Sequence, residues 1–163
     1  MALAKERKLL FVCMGNICRS PTAEAVARRR FADAGLMVTV DSAGTIAFHA
    51  GEPPDRRARQ AGEARGYDFS GQLARQVASD DFVHCDLILA MDRQNLSDLM
   101  TRCPQRHQHK LQLFLDYAPD AEYEEVPDPY YGGSGGFEQV LDLVEAATDG
   151  LIAKLNSSNK KGA

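Results

Sequence analysis

The feature that most constrains this chain is the stretch Cys13-Met14-Gly15-Asn16-Ile17-Cys18-Arg19-Ser20-Pro21, which joins an apolar run to the start of a helix. The run Leu9–Val12 is typical of a buried parallel strand, and Ser20-Pro21 suits the first turn of a helix. A short loop in this position turns backbone N–H groups inward, and the helix N-terminus adds partial positive charge. The stretch therefore predicts a phosphate-binding loop with the Cys13 thiol at its base.

The order of the predicted elements indicates the fold class. A helix predicted over residues 21–34 ends at Gly35 and is followed by a second strand at Leu36–Val40. Further apolar runs predict strands at Leu87–Met91 and Leu111–Phe114. A strand, helix, strand order predicts a right-handed parallel crossover. We therefore expect an α/β fold with a single-domain, open, four-stranded parallel sheet, helices on both faces and the phosphate-binding loop after strand one.

The remaining segments are predicted from turn residues and helical spacing. Asp41–Thr45 is expected to be a loop, because its residues are small. A proline- and glycine-rich loop is expected over residues 115–136, and loops of that length are usually functional or disordered. Residues 156–163 are expected to form a frayed tail. Helical structure is predicted over residues 55–65, 79–82 (a short turn), 93–102 and 137–155.

Composition limits the function classes. A length of 163 residues without repeats suits one domain over residues 1–163, and 44% hydrophobic with 26% charged residues is typical of a globular protein. A formal net charge of -4 argues against nucleic acid, and the absence of a long apolar run argues against a membrane. The N-terminal residues lack a secretory pattern, and the four cysteines have no zinc spacing. We therefore expect reduced thiols and a cytoplasmic location.

Within the loop, Cys13 is the candidate nucleophile, because inward N–H groups and a nearby arginine stabilise a thiolate. Arg19 offers a fork of donors that matches a tetrahedral oxyanion. Ser20 is expected to add a hydroxyl hydrogen bond to the thiolate. Asn16 is expected to shape the loop through a left-handed backbone or side-chain hydrogen bonds, and Gly15 to permit a tight turn.

A thiolate that attacks a phosphate ester needs a proton for the leaving oxygen, and Asp128 is the best candidate for the acid. It precedes Pro129, which stiffens the backbone, and it lies in the long loop that can fold over the site. Tyr130 and Tyr131 beside it, with Phe48 opposite, are expected to enclose a ring-bearing substrate.

The chain resembles the low-molecular-weight protein tyrosine phosphatases in the segments Val12–Pro21 and Asp128–Tyr131. Further matches are Asp41–Thr45, Gly51–Asp55, Ala74–Gln76 and Leu89–Asp92. The resemblance implies that Cys13 attacks phosphorus, that Arg19 and the loop amides bind its oxygens, and that Asp128 protonates the phenolate and then aids water.

The same resemblance implies the other site residues and the partners. Phosphate or its ester is expected to contact Met14, Gly15, Asn16, Ile17, Cys18, Ser20, Phe48, Tyr130 and Tyr131. The expected substrate is a tyrosine-phosphorylated protein, phosphate and other oxyanions are expected inhibitors, and no metal or cofactor is implied. Cys18 is either a partner that traps oxidised Cys13 as a disulfide or a small packed side chain.

The sequence departs from the family at two positions. Gln72 stands where histidine is frequent, which affects the hydrogen bonds that support the loop through Asn16, Ser20 and Ser42. Phe48 stands where tryptophan or tyrosine is frequent, and phenylalanine has no polar group for substrate selection.

Three other functions are compatible with parts of this sequence. An arsenate reductase would need a resolving cysteine, for which Cys85 is the candidate. Protein arginine phosphatases have a similar loop, but with threonine at the position of Ile17. Isoleucine at this position therefore favours tyrosine esters as substrates. A non-catalytic phosphate-binding module would have no use for both Cys13 and Asp128.

Overall fold

The fold is built on one four-stranded, all-parallel sheet. A computed structural model describes residues 6–130, 132 and 135–161, with side chains through residue 157. The strands are β1 (Arg7–Cys13), β2 (Val38–Gly44), β3 (Leu87–Ala90) and β4 (Leu111–Leu113). The strand order is β2-β1-β3-β4, which places β1 in the interior of the sheet beside β2 and β3. This confirms the predicted α/β class and the parallel sheet.

Helices cover both faces of the sheet, as predicted. Side chains of β1 alternate, so that Leu9 and Phe11 join one core cluster while Leu10 and Val12 join another. The helices are α1 (Arg19–Asp33), α2 (Arg56–Ala64), α3 (Ser79–His84), α4 (Arg93–Arg102) and α5 (Gly135–Lys161), with short 3-10 helices at Gln105–Lys110 and Phe114–Tyr117. The first cluster includes residues of α1 and α5, and the second includes residues of α3 and α4.

The second strand differs from its prediction. Leu36 and Met37 precede β2, and Asp41–Gly44, expected to be a loop, forms its second half. This second half of β2 pairs with β1 as far as Cys13, which lies opposite Gly44. Small residues suit the position, because a Cβ on Gly44 would lie 2.7 Å from the carbonyl oxygen of Met14. Backbone pairing with β1 therefore outweighs the loop-like composition of this segment.

Other boundaries also shift. Phe114, expected in the fourth strand, begins a 3-10 helix, and α5 begins at Gly135 and continues past the predicted end at Leu155 to Lys161. Residues 162 and 163 of the expected tail lie outside the described part. No helix within that described part combines the length and apolar character needed to cross a membrane.

Candidate active site

The loop between β1 and α1 is held by the side chain of Asn16. Asn16 has a φ of 58°, so the expected left-handed backbone is present, and its side chain is also hydrogen-bonded. Its Nδ2 donates to Ser20 Oγ at 2.7 Å and to Ser42 Oγ at 3.0 Å. Its Oδ1 accepts from the backbone N–H of Arg75 at 3.0 Å. Asn16 is 3% exposed and therefore shapes the loop from behind.

Gly15 also makes room for a neighbouring side chain. Among the described residues of the loop, positive φ belongs to Asn16 and not to Gly15. A Cβ on Gly15 would lie 3.0 Å from Cδ2 of His49. Glycine at this position therefore makes room for the His49 ring.

The thiol of Cys13 lies at the carboxyl end of β1 and takes part in two hydrogen-bond contacts. Its Sγ accepts from the backbone N–H of Asn16 at 3.2 Å and lies 3.1 Å from Ser20 Oγ. Asn16 Nδ2 donates to Ser20 Oγ, so the Ser20 hydroxyl proton can be donated to the sulfur or to the carbonyl oxygen of Ala43, which lies farther away at 3.5 Å. The thiol therefore sits where a negatively charged sulfur would be stabilised.

Arg19 is 3% exposed and is held at one nitrogen by two acceptors. Its Nη1 donates to Asp92 Oδ2 at 2.6 Å and to the carbonyl oxygen of Val126 at 3.1 Å. Burial opposes the charge, but Cys13, Asp92 and Asp128 hold the pKa of Arg19 above its ordinary value. Arg19 is therefore a fixed cation at the base of the site.

Asp92 is a site residue whose second role the sequence did not indicate. Asp92 is the N-cap of α4, since its Oδ1 accepts from the backbone N–H of Asn95 at 2.7 Å. The other oxygen binds Arg19. The available signal was position: Asp92 follows β3 closely, and β3 lies beside β1 in the sheet.

Asp128 reaches the same site from a segment more than a hundred residues later in the chain. Its Oδ2 lies 3.6 Å from Arg19 Nη2, and its Oδ1 accepts from the backbone N–H of Tyr130 at 3.0 Å. Val126 fixes the start of this segment, because it is fully buried and its N–H donates to the carbonyl of Met91 at 2.8 Å. The carboxyl side chain is 40% exposed, so it is accessible from the cavity.

A cavity of about 170 Å³ opens above the thiol. Phe48 is 81% exposed and Tyr130 is 36% exposed, so both present ring surface at its mouth. Tyr131 lies outside the described residues. Asn16 and Ser20 lie behind the loop. The cavity is lined by the predicted residues Cys13, Met14, Gly15, Ile17, Cys18, Arg19, Phe48, Asp128 and Tyr130, together with Ile46 and His49.

His49 is a wall residue that the sequence analysis missed. Its ring meets the Phe48 ring edge-on with centroids 4.8 Å apart, and the Tyr130 centroid lies 6.4 Å away. Its Nδ1 lies 2.5 Å from Glu52 Oε2. Its position next to Phe48 was the signal that could have found it.

Glutamine at position 72 does not interrupt the hydrogen bonds that support the loop through Asn16, Ser20 and Ser42. Ser42 Oγ donates to Glu24 Oε1 at 2.7 Å, which completes the chain of hydrogen bonds through Asn16 and Ser20. Gln72 Nε2 instead donates to the carbonyl oxygen of Pro21 at 3.1 Å, and Gln72 Oε1 is buried with no hydrogen-bond partner among the described residues. Glutamine therefore supports the start of α1 and not the asparagine network.

The other cysteines of interest occupy different environments. Cys18 is buried at the start of α1 and lines the cavity, and burial raises the pKa of its thiol, with a further contribution from Asp55. Cys85 is 1% exposed and belongs to the core cluster on the α3 and α4 side of the sheet, whereas Cys13 belongs to the opposite cluster. Burial raises the pKa of Cys85 to about 11.

Comparisons with known proteins agree with this arrangement. Residues 8–161 match the family model described as low molecular weight phosphotyrosine protein phosphatase. A low-molecular-weight protein-tyrosine-phosphatase of Streptomyces coelicolor is 45% identical over 151 residues, covering 90% of this chain and 92% of that protein. The human low-molecular-weight phosphotyrosine protein phosphatase is 40% identical over 144 residues, covering 86% and 90%. A crystal structure of a protein tyrosine phosphatase from Entamoeba histolytica with Hepes in the active site has a TM-score of 0.90 and 44% identity, covering 94% and 99%.

Proposed function

Because the chain belongs to the low-molecular-weight phosphotyrosine protein phosphatase family, we propose that it hydrolyses protein phosphotyrosine through a covalent phosphocysteine on Cys13, without a metal ion. The single observation that carries this proposal is that Cys13, Arg19 and Asp128 line one cavity. A nucleophile, a fixed cation and an accessible carboxyl group are the parts that cleavage of a phosphate monoester requires.

In the first step, the Cys13 sulfur attacks phosphorus, an S–P bond forms, and the bond from phosphorus to the phenolic oxygen breaks. Asp128 gives its proton to that oxygen, so that tyrosine leaves as a neutral phenol. Arg19 and the loop amides stabilise charge on the other phosphate oxygens.

In the second step, water attacks phosphorus and the S–P bond breaks. Asp128, now a carboxylate, takes a proton from that water. The Ser20 hydroxyl, 3.1 Å from the sulfur, is placed to stabilise the departing thiolate, and inorganic phosphate is released.

The mouth of the cavity supports an aryl substrate. Phe48, His49 and Tyr130 bring three rings to it, and ring surfaces favour a planar aromatic leaving group. Ile17 lines the cavity with an apolar side chain, which favours the phenyl ring over the charged guanidinium of phosphoarginine. The related Entamoeba histolytica phosphatase holds Hepes, which carries a tetrahedral sulfonate, so we expect phosphate and similar oxyanions to inhibit this enzyme competitively.

The position of Cys85 argues against an arsenate reductase. A resolving cysteine must reach the nucleophile, and Cys85 is buried in the core cluster on the opposite face of the sheet from Cys13.

The test is turnover of phosphotyrosine, phosphoarginine and arsenate side by side, in EDTA with a thiol reductant. We expect phosphotyrosine to be hydrolysed, the other two to react at least tenfold more slowly, and Cys13→Ser to lose turnover while retaining its fold. Full activity of the Cys13→Ser variant would refute covalent catalysis. Loss of activity in EDTA with recovery on adding a divalent cation would refute metal independence.

Cys18 is a separate proposal about protection of the nucleophile. It lines the same cavity as Cys13, so its thiol can attack a sulfenic acid on Cys13, forming a disulfide and releasing water. After peroxide treatment and reduction, Cys18→Ala is expected to recover much less activity than wild type. Equal recovery would assign Cys18 to packing alone. A reactive thiol also requires a reducing compartment, which supports the expected cytoplasmic location.

A further inference from the structure

We infer that Arg57, on the first turn of α2, is a positioning residue that holds the general acid segment against the phosphate-binding loop. This inference rests on the proposed function, since it assigns Arg57 a role through Asp128. Arg57 does not line the cavity. Its contacts instead connect the phosphate-binding loop with the segment that carries Asp128.

The first half of the link connects α2 to the phosphate-binding loop. The backbone N–H of Asp55 donates to the carbonyl oxygen of Ile17 at 2.7 Å. Asp55 then caps α2 by accepting from the backbone N–H of Arg57 at 2.8 Å. The Asp55 carboxylate also lies 3.2 Å from both Nε and Nη2 of Arg57, so the guanidinium is oriented from the loop side.

The second half of the link connects Arg57 to the acid segment. Its Nη2 donates to the carbonyl oxygen of Tyr130 at 3.0 Å. Its guanidinium carbon lies 5.5 Å from the Tyr130 ring centroid and 4.8 Å from the Phe137 ring centroid, at the start of α5. Tyr130 is in turn bonded through its N–H to Asp128 Oδ1 at 3.0 Å. Arg57 therefore fixes the position of Asp128 through Tyr130, because a hydrogen bond joins Tyr130 to the Asp128 carboxylate.

Arginine is suited to this task and lysine is not. The planar guanidinium forms a fork on one carboxylate, donates to a carbonyl and faces aromatic rings at the same time, whereas an ammonium is a compact charge. The acid segment depends on such contacts, because the Asp128 side chain is 40% exposed and Tyr130 is 36% exposed. Deep burial does not fix either residue.

The test compares leaving groups, because a misplaced acid matters most where the leaving oxygen needs a proton. For Arg57→Ala, kcat/KM is expected to fall about tenfold with phenyl phosphate and less than about threefold with dinitrophenyl phosphate. Arg57→Lys is expected to fall in between. Arg56→Ala removes an exposed arginine from the same helical turn and is the matched control, with no change expected.

A double variant separates action through the acid from other roles. In an Asp128→Ala background, Arg57→Ala is expected to lower kcat/KM for phenyl phosphate by less than a further twofold, because the acid through which Arg57 acts is already missing. An equal fall with both leaving groups, or a full tenfold loss in that background, would overturn the inference. Thermal unfolding of each variant identifies any that fail to fold, in which case Arg57→Lys supplies the comparison. Failure of the proposed function is seen separately, as turnover that does not depend on Cys13.

Discussion

At the scale of single residues, the proposed acid role of Asp128 can be tested directly by substitution. Asp128→Ala is expected to lower kcat/KM for phenyl phosphate about 100-fold or more, because general acid catalysis contributes that much for a poor leaving group. The loss with dinitrophenyl phosphate is expected to be small. Steady-state kinetics over a series of aryl phosphates measures the difference.

Asp120→Ala is the matched control, since Asp120 is an exposed carboxyl group in the same segment. It is expected to leave the series unchanged. If Asp128→Ala reduces every substrate by the same factor, Asp128 is not the acid.

Asn16 allows backbone and side-chain effects to be separated at one position. Asn16→Gly removes the side-chain hydrogen bonds but keeps a residue that accepts a φ of 58°. Asn16→Ala removes the same hydrogen bonds and adds strain of about 1 kcal/mol from the left-handed backbone. We expect both variants to lose kcat/KM at least tenfold and the alanine variant to unfold more easily.

Urea unfolding measures that difference in stability. Equal unfolding free energies for the two variants would mean that the loop relaxes away from the left-handed conformation when the side chain is lost.

At the scale of elements, Asp92 joins the start of α4 to Arg19, at the end of the loop that begins at Cys13. Asp92→Ala is expected to destabilise the protein by about 3 kcal/mol, of which about 1 kcal/mol is the lost cap and the rest the buried charge of Arg19 left without its partner. Asp92→Asn keeps an oxygen for the cap and so isolates the effect on Arg19. Chemical denaturation and kcat/KM are measured together.

Both Asp92 variants are expected to lose activity, whereas only the alanine variant loses the cap. A fully active Asp92→Ala enzyme would show that Val126 and Asp128 together suffice to orient Arg19.

Asp81 holds the segment after α2 to α3 and gives a pH-dependent test. Burial opposes its charge, but hydrogen bonds from Arg75 at 2.9 Å and from the backbone N–H of Ala78 at 2.8 Å hold the pKa of Asp81 below its ordinary value of 3.8. A carboxyl group with a depressed folded-state pKa stabilises the fold fully above its unfolded pKa and loses that effect as pH falls through the folded pKa.

Asp81→Asn is therefore expected to destabilise the protein by about 2 kcal/mol at pH 7, and the gap from wild type is expected to shrink below about pH 4. Asp80→Asn, at an exposed neighbour, is the control. Unfolding free energies at a series of pH values provide the measurement. A gap that stays constant into acid would assign the loss to geometry and not to charge.

The elements also show what the sequence can and cannot predict. The loop from Cys13 to Arg19 was predictable because its chemistry is contiguous and adjoins a strand and a helix. The pairing of Arg19 with Asp92 was not, because it depends on β3 lying beside β1, and strand order is not written in local patterns. The second half of β2 was missed because its small residues resemble a loop, while backbone pairing to β1 decides its structure.

At the scale of the whole molecule, α5 packs closely against the 3-10 helix at Phe114–Tyr117. A Cβ on Gly150 would overlap the carbonyl oxygen of Tyr117, which is backbone and cannot rotate away. Gly150→Ala is therefore expected to destabilise the protein by about 1–3 kcal/mol, although alanine is intrinsically the better helix former by about 1 kcal/mol.

Gly135→Ala, in the same helix, is the matched control, because a Cβ there would meet no atom of the described residues within 4 Å. It is expected to be neutral or slightly stabilising. Thermal unfolding of both variants tests the packing, and a stabilised Gly150→Ala protein would contradict it.

The alternation of side chains along β1 has a consequence for how a gene of this kind can diverge. Leu9, Phe11 and Cys13 face one core cluster, and Leu10 and Val12 face the other. Inserting or deleting one residue ahead of the thiol would turn the sulfur to the wrong side of the sheet. A change in the length of β1 is therefore expected to be more damaging than a substitution between apolar residues of similar volume. Length variation among descendants is therefore expected to accumulate in surface connections and to leave this strand unchanged in length.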